Sequence, residues 1–198
     1  MDERLKHITD YLEASIAIQS RIADSCGLQI LAASDAMAAA FKAGNKVLFC
    51  GNGGSAADCQ HMATELVSRL SSAVERPGLP ALALTTDTSF LTAYSNDYGF
   101  DGVFERQVDT LGRAGDALVA ISTSGRSENV RRAVRKARAK AMGTIGLVGE
   151  DGPLAHEVDH AIVVPGRDTQ HIQEALLPIE HLICLLIEKA LFGPSTAT

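Results

Sequence analysis

Five short runs along this chain are apolar at almost every position: KVLFC (46–50), PALAL (80–84), DALVAI (116–121), GTIGLV (143–148) and HAIVV (160–164). A strand with one wet face alternates apolar and polar residues, because successive side chains point to opposite faces. Unbroken apolar strands are the mark of a sheet covered on both sides. Between them lie stretches with helical periodicity, over 56–70, 89–94, 103–111, 127–141 and 169–192. Strand and helix in alternation predict a doubly wound parallel sheet sandwiched between two helical layers. Residues 1–42 precede the first strand and form an N-terminal helical extension, with Leu5, Ile8, Leu12 and Ile16 at three- and four-residue spacing. The remainder divides into sheet and helices over 46–165 and a last helix over 169–192, so the 198 residues read as a single domain.

Composition narrows the function classes. The chain is 46% hydrophobic and 21% charged with 17 Gly and 6 Pro, which excludes collagen-like and disordered classes. A formal charge of -6, without aromatic residues interleaved among basic ones, argues against nucleic-acid and anionic-membrane partners. The basic stretch 131–140 has its apolar positions Val130, Ala133, Val134 and Ala137 on one helical side, so its charges are expected to face water. Cys26, Cys50, Cys59 and Cys184 contain no CxxC pair, and their apolar settings favour reduced thiols. Met1–Lys6 is charged and leads into no signal-like apolar region, and no apolar run approaches the ~20 residues that span a bilayer. A cytoplasmic location is expected.

In open parallel sheets ligands bind beyond the carboxyl ends of the strands. After the first strand comes Asn52-Gly53-Gly54-Ser55, opening straight into a helix. Glycines allow close backbone approach and a helix start offers free N–H donors, although a tight turn with a capping serine has the same composition. After the third strand, Ser122, Thr123, Ser124 and Ser127 bring four hydroxyls to another helix start. One hydroxyl suffices for a cap; four suit a phosphate or a sugar. Neither GxGxxG nor GxxxxGK[ST] occurs, so nucleotide fingerprints are absent. His61 and Glu65, four residues apart on one helix face, suit a metal, acid–base work or an ordinary surface pair. In the last helix Gln173 and His181 lie eight residues apart, ~12 Å along the axis, so one metal reaching both must sit between them. They equally read as two unrelated polar positions on a helix whose other face is core.

Four segments in order, CGNGGSAADCQHMATEL, LTTDTSFLTAYSNDYGF, ISTSGRSEN and DTQHIQE followed by His181, resemble the sugar isomerase (SIS) domain family. The likeness runs from about Leu5 to Phe192 and is strongest to members that isomerise phosphorylated heptoses. The resemblance implies a flavodoxin-like sheet and an aldose–ketose isomerase. Its implied reaction converts sedoheptulose 7-phosphate to D-glycero-D-manno-heptose 7-phosphate through an enediol, the first step toward the heptose of bacterial surface polysaccharide. It further implies a homotetramer with sites at subunit interfaces and one zinc per subunit. Carried over by motif, Ser122, Thr123, Ser124 and Ser127 hold the phosphate, while Asn52, Gly53, Gly54, Ser55, Asn96 and Asp97 line the sugar. His61, Glu65, Gln173 and His181 become the zinc ligands, with Glu65 and Gln173 also meeting substrate, and Glu65 and His181 doubling as the acid–base pair. His171 departs from the Arg or Lys that the family carries before IQE. The alternative is a non-catalytic member that binds a replication initiator or senses a sugar phosphate. Such proteins need neither Glu65 nor His181, and this chain has both.

Overall fold

A computed structural model describes residues 2–72, 74–150 and 152–193. Among them, five parallel strands form one sheet: β1 (Val47–Gly51), β2 (Ala81–Ala83), β3 (Ala117–Ser122), β4 (Gly143–Gly149) and β5 (His160–Val164). The spatial order is β2-β1-β3-β4-β5, the doubly wound flavodoxin-like order in which the chain reverses direction between β1 and β3. The helices are α1 (Glu3–Gln19), α2 (Ile22–Lys42), α3 (Gly54–Val67), α4 (Thr88–Tyr98), α5 (Val103–Leu111), α6 (Glu128–Ala139) and α7 (Thr169–Phe192).

The pleat sorts the strand residues between two cores. Val47 and Phe49 of β1 face a core shared with α2, α3 and α7, whereas Leu48 and Cys50 face one shared with α5 and α6. Val130, Ala133, Val134 and Ala137 are wholly buried under α6, as the periodicity predicts. The cations on its outer side find carboxylates: Arg131 pairs with Glu157, Arg132 with Glu105, Arg135 with Glu128 and Lys136 with Asp109. Several helix ends differ from expectation; α6 spans Glu128–Ala139 rather than 127–141, and α3 starts at Gly54 rather than 56. Helix α4 runs to Tyr98 rather than Tyr94, started by the Asp87 side chain, which accepts from Phe90 N. Helix α3 stops at Val67 instead of Leu70, because Ser68 leaves the helical region (φ -90°, ψ -98°).

Burial also reaches a few ionisable groups. Asp116 is satisfied by Lys46 and by the backbone N–H of Lys46 and Arg113, which together hold its carboxyl below the usual range despite burial. Glu180, on the core side of α7, is 0% exposed and neither carboxylate oxygen has a hydrogen-bond partner. Burial, reinforced by the Asp58 carboxylate, pushes it up to about 8. The folded chain therefore holds a proton at Glu180 that the unfolded chain releases near the ordinary Glu value. Stability from this group is full below that value and is lost as pH rises toward about 8, by at most ~1.4 kcal/mol per pH unit. Glu180→Gln should flatten this decline; thermal melts of both chains between pH 5 and 8 check it, and identical slopes would contradict it.

Candidate functional site

Strands β1 and β3 are neighbours, so the loops that leave their carboxyl ends lie side by side. The first is the Asn52–Ser55 loop. Gly53 has φ +57° and ψ -122°, a backbone that side chains rarely adopt, and α3 begins directly after it without a side-chain cap. The second is the serine loop. Gly125 has φ +62°, and a Cβ there would stand 2.6 Å from the Gly152 Cα, so only glycine lets the loop fold this tightly. Ser127 occupies the N-cap of α6 yet makes no capping hydrogen bond; its hydroxyl meets that of Ser122 at 3.2 Å. The capping alternative thus loses its hydroxyl. Thr123 is half-buried and Ser124 exposed, with the Ser124 hydroxyl accepting from Arg126 N at 3.2 Å.

A pair of amides ties the two loops together. Asn52 and Asn129 exchange reciprocal hydrogen bonds, each 2.9 Å, and Asn129 is only 3% exposed. Motif reading gave Asn129 no role, since the two residues are 77 positions apart.

Helices α3 and α7 bring the metal-type ligands together. His61 Nε2 lies 2.8 Å from His181 Nε2, and His61 Nδ1 lies 3.9 Å from the Glu65 carboxylate. One donor atom from each of His61, Glu65 and His181 falls within 4.8 Å of the others. All three side chains are half-buried, open enough for a small ligand. Two imidazoles and a carboxylate with room for a fourth ligand match the donor set of catalytic zinc sites. Two imidazole nitrogens in contact must share a proton or direct both lone pairs at a cation, so the arrangement fits a metal.

Gln173 reaches the same region differently. Its carbonyl oxygen accepts from Ser55 at 3.5 Å, its amide donates to Asp58, and it lies against Gly54. It therefore joins α7 to the start of α3. Asp58, a residue that motif reading overlooked, has its carboxyl pushed up by burial, with Gln173 and His61 opposing the rise. Asn96 and Asp97 are exposed in the last turn of α4, where the Asn96 amide donates to Asp97 at 2.9 Å. Within this single chain, among the described residues, no hydrogen bond joins them to the other candidates. His171 turns toward α1: its Nδ1 lies 3.0 Å from Glu174, which also accepts from Tyr11.

Comparison with known proteins gives the family. The SIS domain model matches residues 10–149. The phosphoheptose isomerase of Solidesulfovibrio magneticus is 49% identical over 191 residues, covering 96% of this chain and 93% of the relative. The solved phosphoheptose isomerase from Neisseria gonorrhoeae superposes with a TM-score of 0.87 at 41% identity, over 93% of this chain and 98% of that one. The Francisella tularensis enzyme superposes with a TM-score of 0.89 at 37% identity, over 94% and 98%. This chain belongs to the SIS domain family and, within it, to the phosphoheptose isomerases.

Proposed function

We propose that the protein interconverts sedoheptulose 7-phosphate and D-glycero-D-manno-heptose 7-phosphate, as a zinc-dependent aldose–ketose isomerase at the start of bacterial heptose biosynthesis. The observation that carries this reading is the convergence of His61, Glu65 and His181 from α3 and α7, with α3 opening directly from the glycine loop. A protein that only senses a sugar phosphate or binds a partner has no use for that cluster.

The serine loop supplies hydroxyls from Ser122, Thr123, Ser124 and Ser127 and the N-terminus of α6 to the phosphate. Binding there is remote from the reacting carbons, so it positions C1 and C2 without taking part in the chemistry. Asn52, Gly53, Gly54 and Ser55 line the sugar chain. Glu65 removes the proton at C1, the electron pair forms the C1–C2 double bond of the enediol, and a proton returns at C2 to give the aldehyde at C1. His181 moves the matching proton from O1 to O2, which keeps the isomerisation redox-neutral. His61, Glu65 and His181 would hold the zinc, one per subunit, with Gln173 as the fourth ligand. When bound there, the metal would supply Lewis-acid polarisation of the carbonyl.

Helix α1 supports the homotetramer. Leu5, Ile8, Leu12 and Ile16 are 54–64% exposed along one side, an apolar stripe that a second copy would cover. Asn96 and Asp97, exposed and paired with each other, suit a neighbouring subunit's sugar site. All four cysteines are buried free thiols, and burial pushes Cys50 and Cys184 up to about 12, which fits the reducing cytoplasm. No described helix is long and apolar enough to cross a membrane.

Turnover of sedoheptulose 7-phosphate by chelator-stripped and zinc-restored protein tests the reading. Activity lost on stripping and regained with zinc supports it; activity indifferent to zinc removes the metal, and none in either state favours the sensor. Glu65→Gln should lower kcat by at least ~100-fold with the fold and assembly retained, checked by steady-state kinetics beside circular dichroism. Ser124→Ala should act mainly on KM, raising it several-fold. An unchanged KM would move the phosphate elsewhere.

A further inference from the structure

Helix α3 carries His61 and Glu65, and its last carbonyls have no partner inside the helix. The chain returns along that end, and Arg76 takes them. Arg76 Nη2 donates to the Glu65 carbonyl at 2.7 Å and Nη1 to the Leu66 carbonyl at 2.8 Å. Its Nε donates to Glu188 of α7 at 2.8 Å, and the same Glu188 oxygen accepts from Leu70 N at 3.1 Å. The side chains of Arg76 and Glu188 are 0% and 2% exposed. A guanidinium also suits the negative end of the α3 dipole, and its rigid fork reaches four acceptors at once, the Pro77 carbonyl among them.

Glu188 follows His181 by seven residues, so both lie on one side of α7, ~10 Å apart along the axis. The two helices consequently meet at two places. At one, His61 faces His181; at the other, Arg76 joins the Glu65 backbone to Glu188. A shift of α3 relative to α7 would disturb both contacts together. We propose that the buried Arg76–Glu188 pair is a positioning clamp that sets where His61 and Glu65 stand relative to His181, and that Arg76 and Glu188 are positioning residues for the metal site and for the base. The clamp rests on the metal and isomerase roles proposed above for those three residues.

Buried ion pairs are poor sources of stability, and replacing both partners by apolar residues of similar volume is commonly neutral. Arg76 also satisfies backbone carbonyls, so its loss costs stability as well, and positioning is read by metal binding and kinetics in the folded variant. The double variant Arg76→Met/Glu188→Leu, which leaves the Glu65 and Leu66 carbonyls and Leu70 N without these partners, should melt below the parent chain and, while folded, bind Co(II), followed by its visible absorption, at least ~10-fold more weakly. Its kcat should fall by a similar factor while KM for sedoheptulose 7-phosphate holds, since the serine loop lies off the clamp. A folded double variant with parental Co(II) affinity and kcat would overturn the proposal and leave the pair as packing alone. If it does not fold, Arg76→Lys, which keeps the charge and loses the fork, decides by the same two readings. A parent chain that takes up no Co(II) overturns the metal role instead, and the clamp is then judged by kcat at constant KM in Arg76→Lys.

Discussion

Strands β1 and β3 are buried on both faces along their whole length, and that constraint organises the rest of the molecule. Polar groups are costly between the layers, so chemistry is confined to the rims of the sheet. At the carboxyl rim each strand opens into a loop followed by a helix, where backbone N–H donors are free and glycine permits close approach. The reversal of direction between β1 and β3 sets two such loops next to each other. The reciprocal Asn52–Asn129 pair then makes them one surface.

The third wall of that surface comes from α7. It packs on the same face of the sheet as α3, and its buried stripe of Ile172, Leu176, Ile179 and Ile183 leaves Gln173 and His181 facing the glycine loop and its helix. Two helices from distant parts of the chain thereby supply a His–Glu–His cluster that neither contains alone. The polar contacts around it differ in kind. Arg76 and Glu188 satisfy each other and the end of α3, whereas Glu180, close to the cluster on the core side, has no hydrogen-bond partner. The region nearest the chemistry is thus the one where the core tolerates an unpaired ionisable group.

Much of this was legible in the residues. The bounds of α5, β5 and α7 coincide with expectation because the periodicity is strong and the stops are sharp: Gly112 follows α5, and Asp168 caps α7 by accepting from Gln170 N. The end of α3 was not legible, since it depends on Ser68 leaving the helix and on a guanidinium far along the chain capping the last turn. Asn129, Asp58 and Glu188 escaped for a related reason. Each is an ordinary polar residue in its own helix and gains meaning only through a partner 77, 115 or 112 positions away.

By itself the sequence determined the layered parallel sheet, the two loops that suit anions and the ligand-type residues, because hydrophobic period, glycine placement and hydroxyl density are local properties. Only the tertiary structure decided which of those residues meet. It brought His61 to His181, turned Gln173 toward Ser55 and Asp58, and left Asn96 and Asp97 exposed on α4. The physical reason is that side-chain convergence depends on how helices cross, and crossing is set by packing summed over the whole core rather than by any one segment.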